Sequence, residues 1–412
     1  MKTSLAHTTK AVIANANNIV ALSVIRSLGR QGVPIVALFG KNHDYHQAYT
    51  KVVGSSRFVS EKYWFDEADY ESNIIQGLLD IGKALDSKGV LFPASDHDLV
   101  LVSKHRAYLQ NFYHILMPPD DMLALLLNKE RFYEFADKEN LPIPRTFVPG
   151  SSSDISTISR LVRYPCIIKP SWRSKKWIRR YRSIKVIPCA SQEELLQTYE
   201  QVSREFSGLT VQDVVPGPES NIVCSFTYLD RQSEPLGMFL CRKIRQYPPE
   251  FGNTSLAEPI SSPEVERITR RICKQLALVG YVGIEFKLDP RDKAYKIIEI
   301  TPSRIDRQAG LSDTCGINIP YIWYAYLLGL HLNVGVSEKP YRWASEVNEI
   351  RSIGRYLKRG EWTVVDWFKG YRNVRRWEVF AGDDLFPFLM LTLEEPLSQI
   401  MSRCHLHTSN SG

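Results

Sequence analysis

The sequence predicts an α/β protein whose N-terminal part is a doubly wound parallel sheet, and three observations carry that expectation. Ala11-Val12-Ile13-Ala14 is a short apolar run followed by an asparagine-rich turn (Asn15, Asn17, Asn18). A helix-period stretch then continues to Gly29. Gly32 precedes a second apolar run, Val33-Pro34-Ile35-Val36-Ala37-Leu38. Strand, helix and strand in so short a span imply a parallel sheet, where ligands collect beyond the carboxyl ends of strands. The turn lacks GxGxxG, which disfavours a dinucleotide site.

The next element repeats the pattern. Val90-Leu91-Phe92-Pro93-Ala94 leads into Ser95-Asp96-His97-Asp98 and a helix, with Ser95 or Asp96 as its N-cap at a strand end that can also face a ligand. Pro118-Pro119 marks a break, Asn128 to Glu139 reads as a helix, and Leu141-Pro142-Ile143-Pro144 stops it. Strands are expected at Tyr164–Lys169 and Ser183–Pro188, joined by a basic segment, and a helix at Ser191–Phe206 opened by a Ser-x-x-Glu box. Strands around Leu209–Val215 and Asn221–Leu229, a helix at Ser262–Leu278 and a hairpin over Val282–Thr301 complete this part. Beyond about residue 333 lies an appendage rich in Arg and Trp whose chemistry the sequence does not reveal.

Composition narrows the function classes. With 412 residues the length prior is about three domains. Hydrophobic residues at 44% and charged residues at 24% are ordinary globular values and argue against disorder or a coiled coil. The excess of 52 basic over 45 acidic residues is mild and compatible with phosphate-bearing ligands. The start has no apolar stretch of signal-peptide length, and the seven cysteines are never spaced as CxxC. The expectation is a cytoplasmic protein with reduced thiols and no zinc site. The charge-free stretch between Asp313 and Glu338 is interrupted by Asn318, Pro320, His331 and Asn333, and reads as a core helix and not a span.

The hairpin is the most informative feature. A five-residue loop, 290–294, sets Asp289 opposite Tyr295 and Glu285 opposite Glu299, with Ile284, Phe286 and Leu288 sharing a face with Ile298 and Ile300. Two carboxylates then face each other with Cβ atoms roughly 5 Å apart. Opposed like charges destabilise a sheet unless neutralised, as Mg²⁺ does together with phosphate oxygens. Alternatively, Lys287 and Lys296 balance them on a solvated face.

Other segments add weaker signals. Cys166-Ile167-Ile168-Lys169-Pro170 puts a lysine at the end of a buried strand, where an anion would suit it. Gln212-Asp213-Val214-Val215-Pro216-Gly217-Pro218-Glu219 joins a strand to a turn whose backbone can read a base edge and whose Glu219 can accept ribose hydroxyls. An ordinary Pro-Gly turn is the plainer reading. Seven basic residues between Arg173 and Lys185, with Trp172, Trp177 and Tyr181 interleaved, fit a lid over a triphosphate, a nucleic-acid surface or a solvated loop. Arg242-Lys243-Ile244-Arg245 forms a second basic cluster.

In this order the elements resemble the ATP-grasp superfamily, especially its carboxylate–amine ligases and the half-domains of carbamoyl-phosphate synthase large subunits, over roughly residues 10–332. The resemblance implies an N-terminal pre-ATP-grasp domain (1–125), an ATP-grasp domain (126–332, lobes of about 126–210 and 211–332) and a C-terminal extension (333–412). It implies ATP and Mg²⁺ as cofactors, small-molecule carboxylate and amine substrates, and an acylphosphate route to an amide-type bond. Nucleic acid and a membrane span are not implied, and a homo-oligomer is compatible with it.

Lys129 and Lys169 match the lysines that contact ATP phosphates in relatives. Gln212, Val214 and Val215 match the adenine hinge, Glu219 the ribose carboxylate, and Glu285 and Glu299 the metal carboxylates. Arg242 and Lys243 match basic residues near the terminal phosphate or acyl group. Two departures stand out. The usual Glu-x-Asn-Pro-Arg reads Glu299-Ile300-Thr301-Pro302-Ser303-Arg304 here, so Arg304 or Arg307 must recover the arginine's role once the chain leaves the sheet. The phosphate-covering loop, commonly glycine-rich, has no glycine from Ser171 to Pro188. A catalytically degenerate nucleotide binder of the same fold, or a nucleic-acid binder using the 173–185 loop, are the alternatives.

Overall fold

A computed structural model describes residues 8–41, 47–150, 154–172, 174–181, 184–332, 334 and 340–394, the side chains of residues 47, 48 and 175 excepted. Three sheets organise the chain. The first is parallel, in the order β3-β2-β1-β4-β5, with β1 Ala11–Ala14, β2 Ile35–Gly40, β3 Val59–Phe65, β4 Gly89–Pro93 and β5 Tyr113–His114. β1, β2 and β4 are buried along their whole length, as continuous apolar runs covered on both faces should be. The order turns back between β1 and β4, and there the Asn18 side chain caps the helix Ile19–Gly29 and donates to Ala94 O at 2.9 Å. Ser95 caps the next helix, leaving Asp96 free to face outward from this edge.

The second sheet is antiparallel, β6-β9-β7-β8, from β6 Thr146–Phe147, β7 Cys166–Pro170, β8 Ile187–Cys189 and β9 Leu209–Asp213. The expected strand from Ser183 shortens to Ile187–Cys189, and Ser183 itself lies outside the described residues. Part of the basic segment is a helix, Lys175–Tyr181, whose Trp177 is fully buried against Tyr181 and Phe206. That tryptophan is core, and unavailable to stack on a base.

The third sheet runs β14-β13-β10-β11-β12-β15-β16: β10 Ile222–Leu229, β11 Pro235–Tyr247, β12 Asn253–Pro259, β13 Gly280–Asp289, β14 Ala294–Pro302, β15 Arg342–Ala344 and β16 Val374–Trp377. One face packs on the helix Pro263–Gln275, through Val265, Ile268 and Ile272. The other meets the first sheet through Trp323, whose ring lies 4.6 Å from Phe92, 5.8 Å from Tyr228 and 6.3 Å from Tyr281. Trp323 belongs to a nine-residue helix, Ile319–Leu327, inside this core. Among the described residues no helix is long and apolar enough to cross a membrane.

The extension is woven in and does not hang apart from the sheets. β15 and β16 lengthen the third sheet, and the helix Phe386–Glu394 lies along the helix Gln47–Gly54, where Lys51 pairs with Glu394 at 2.7 Å. Arg26 of the first helix reaches Asp384 at 2.9 Å in a fully buried pair.

Candidate active site

The hairpin places Glu285 opposite Glu299, as expected, but by a different route. The loop is one residue shorter, pairing Asp289 with Ala294 and Leu288 with Tyr295, and a bulge at Ile298 then restores the pairing at the glutamates. The buried partner of Phe286 is therefore Ile297, not Ile298. The bulged residue is not idle: Ile298 O accepts from the Tyr133 hydroxyl at 3.0 Å. A bulge next to a functional side chain re-aims it while the rest of the ladder stays paired.

Each carboxylate has a lysine. Lys129, first residue of a helix capped by Asn128, lies 3.0 Å from Glu299 Oε1. Its ammonium holds the Glu299 carboxyl far below the usual carboxylate range, with Lys185 and Arg304 adding to the effect. Lys243, buried on β11, lies 2.6 Å from Glu285 Oε2. Lys169 is different: 4% exposed at the end of β7, it donates only to neutral oxygens, Tyr133 Oη and Gln212 Oε1, both at 2.7 Å. Burial pushes its ammonium below the ordinary lysine range. A buried cation bonded to neutral groups, within reach of the charges of Lys129 and Glu299, is suited to a phosphate.

The chain leaves β14 at Pro302, and Ser303 takes a left-handed conformation (φ 50°) with its N–H on Tyr281 O at 2.7 Å. This turn brings Arg304 beside Glu299 and onto Asp96 of the first sheet's edge, Nε to Oδ1 2.5 Å. Arg307 is committed elsewhere, forked onto Glu378 of the extension at 2.6 Å per contact. Asp306 closes the same corner, receiving the Tyr281 hydroxyl at 3.1 Å, and burial raises its carboxyl to about 6. Gly283 on β13 makes room for it, since a Cβ there would stand 2.3 Å from Asp306 Oδ2.

The remaining expected residues fall into place unevenly. The Gln212 side chain is occupied within the protein, accepting from Lys169 and donating to Thr146 Oγ1 at 2.6 Å. Val214 and Val215 follow directly on β9, where the chain passes from the second sheet to the third, and Val214 N–H reaches Pro165 O at 3.4 Å. Arg242 does not join Lys243. Neighbours on a strand point to opposite faces, and Arg242 instead pairs with Glu258, whose other oxygen holds Arg342 at 2.7 Å. Arg242 and Glu219 line one cavity together. Sequence reading passed over Tyr133 and Asp306. Ser95 or Asp96 is expected as a cap at a strand end that can also face a ligand, and here Ser95 is the cap and Asp96 holds Arg304.

No family model matches the chain. It is 21% identical over 318 residues to the D-aspartate ligase of Enterococcus faecium, covering 70% of this chain and 75% of that one. It is 24% identical over 234 residues to the carbamoyl phosphate synthase large chain of Saccharolobus islandicus, 52% of this chain but only 20% of that one. Among solved structures, the L-amino acid ligase of Bacillus licheniformis superposes with a TM-score of 0.57 at 16% identity, over 78% of this chain and 74% of that. The biotin carboxylase domain of Hydrogenobacter thermophilus 2-oxoglutarate carboxylase, solved with MgADP and bicarbonate, gives 0.59 at 18%, over 79% and 70%. The three sheets and these superpositions give the chain the ATP-grasp fold. In sequence its similarities run to carboxylate–amine ligases, D-aspartate ligase among them.

Proposed function

We propose that this protein is an ATP- and Mg²⁺-dependent ligase that joins a carboxylate to an amine through an acylphosphate, releasing ADP and phosphate. The observation that carries the reading is the pair Glu285 and Glu299, opposed on adjacent strands, each held by a lysine, beside the buried Lys169 that has no carboxylate partner among the described residues. The similarity to D-aspartate ligase supports it. The proposed division is a pre-ATP-grasp domain (1–125), a nucleotide domain (126–332) and an extension (333–412).

The residues fit the metal. Among the described residues no group of three or more His, Cys, Asp or Glu forms a self-contained cage. Two carboxylates facing a phosphate-binding lysine match how Mg²⁺ is held, by one or two carboxylates with phosphate and water completing the shell. Glu285 and Glu299 would hold it, and it would supply charge neutralisation on the polyphosphate. Lys129 and Lys243, now paired to these carboxylates, would turn to phosphate oxygens, and Lys169 would meet a phosphate directly.

In the first step a substrate carboxylate oxygen bonds to the terminal phosphorus as the bond from phosphorus to the bridging oxygen breaks, and ADP leaves. In the second, the amine nitrogen bonds to the acyl carbon, the carbon–oxygen bond breaks, and phosphate departs with its electron pair while the nitrogen loses a proton to solvent. Phosphoryl transfer asks mainly for positioning and charge stabilisation. Arg304, steadied by Asp96, would orient the carboxylate at the corner where the first sheet meets the hairpin. The 171–185 segment would keep water from the acylphosphate.

Pairwise screening of amino acids for ADP release, with Glu285→Gln and Glu299→Gln as controls, tests this reading. Undiminished Mg²⁺-dependent ADP release in either variant would refute the metal assignment. Tight ATP binding without turnover on any pair selects a non-catalytic nucleotide binder, the reading favoured by Thr301 standing where relatives carry asparagine.

A further inference from the structure

The hinge turn Gly217–Ser220 and Arg359, Glu361 and Trp362 of the extension line one cavity of about 750 Å³, as does Lys287, two residues beyond Glu285. Glu219 stands at its edge with its two oxygens unequally used. Oε1 accepts from the Tyr356 hydroxyl at 3.1 Å and from Glu250 N–H at 3.0 Å. Oε2 has no partner among the described residues.

The Tyr356 hydroxyl is well fixed. It accepts from Gln246 N–H at 3.0 Å, and its single proton lies between Gln246 O at 3.2 Å and Glu219 Oε1 at 3.1 Å. A carboxylate outcompetes a neutral carbonyl for such a proton, so it goes to Glu219. The ring is fully buried against Trp367, which leaves it no alternative position. Glu250 is anchored in turn by Arg359. Both donors that fix Glu219 therefore depend on the extension, although Glu219 itself belongs to the hinge. The side chain of Lys287, half-buried, makes no hydrogen bond or ion pair among the described residues, so the cavity also offers an uncommitted cation.

We infer that Tyr356 is a positioning residue of the nucleotide site: it holds Oε1 of Glu219 so that Oε2 is presented to the vicinal diol of a ribose. This rests on the ATP reading above and extends it, because it makes residues 346–362 of the extension one wall of the nucleoside pocket. An acceptor-only oxygen beside a cavity of this size suits two hydroxyl donors.

The test compares equilibrium binding of MgATP and of Mg-2′,3′-dideoxyATP to the full chain, for wild type, Tyr356→Phe and Arg359→Met. Wild type should prefer ATP. Tyr356→Phe should weaken ATP binding about three- to tenfold, bind the dideoxy nucleotide nearly as wild type does, and raise KM with little change in kcat once a substrate pair is known. Arg359→Met, at a half-exposed position where folding is not at stake, should shift the same ratio by a smaller factor. An unchanged preference for ATP over the dideoxy nucleotide in both variants overturns the inference, as does an equal loss for both nucleotides, which is the mark of a merely structural tyrosine. Failure of the wild type to bind either nucleotide overturns the ATP reading itself, and this inference with it.

Discussion

The hairpin and the hinge cavity use charge in opposite ways. At the hairpin each carboxylate pairs with a lysine, and Lys169 beside them has no acidic partner among the described residues, so on the proposed reading these cations would turn to an incoming polyphosphate. At the cavity the arginines are locked: Glu258 holds Arg242 and Arg342, Arg359 lies between Glu250 and Glu361, and beneath them Arg245 and Glu349 form a fully buried pair stacked on Trp367. Flexible one-to-one pairs suit a site that exchanges partners. Forked, shared arginines suit a rigid wall. The two regions, joined along β13 by Lys287, divide the work of binding and of shape.

The largest expected effect lies at the hairpin. Glu299→Gln should cut Mg²⁺-dependent turnover by about a thousandfold, the few kcal/mol that charge stabilisation on a phosphoryl group contributes. The ATP-over-dideoxyATP preference should survive, and its disappearance would break the proposed division of labour. Next, Arg245→Met should cost about 3–5 kcal/mol in denaturant unfolding, because it strands Glu349 without water or a partner. A stability loss under about 1 kcal/mol would mean that the wall is not built on this pair. Lys169→Met should weaken nucleotide binding by roughly ten- to a hundredfold while leaving the melting temperature unchanged or higher, since it removes a buried cation that has only neutral partners. A lower melting temperature with normal nucleotide affinity would move Lys169 from the site into the scaffold.

The most gradual effect is a pH dependence in the extension. Glu346 receives the N–H groups of Val379 and Phe380, yet burial raises its carboxyl from 4.5 to about 7. The folded protein thus holds a proton that the unfolded chain releases between these values. Its contribution to stability is fullest below about pH 4.5 and is lost as pH rises through about 7. The melting temperature of wild type relative to Glu346→Gln should therefore fall across that window, by the equivalent of about 3 kcal/mol. Parallel curves would show that Glu346 ionises as freely in the folded protein as outside it.

What the sequence revealed follows the same line. The opposed glutamates were readable because alternation along two adjacent strands is local information, robust enough that an error of one residue in the loop was absorbed by the bulge at Ile298. Lys169 announced itself as a charge at the end of an apolar strand. The bond of Tyr356 to Glu219 spans 137 residues and that of Arg304 to Asp96 spans 208, and no periodicity marks such pairs. The extension looked like an appendage for the same reason: three- and four-residue strands, β15 and β16, carry too little alternation to show that they join a sheet begun at Ile222. Trp177 misled in the other direction, since aromatic and basic residues interleave equally in a lid and in a helix that buries one ring.

Trp323 touches rings from both the first and the third sheet, and Arg26 and Arg307 tie that junction to the extension from two sides. Prising these bodies apart would mean unstacking aromatic faces and stripping guanidinium groups of their counterions in one event. On the ATP reading, the motion expected to admit a nucleotide and let its product escape falls to the small four-stranded unit that carries Lys169.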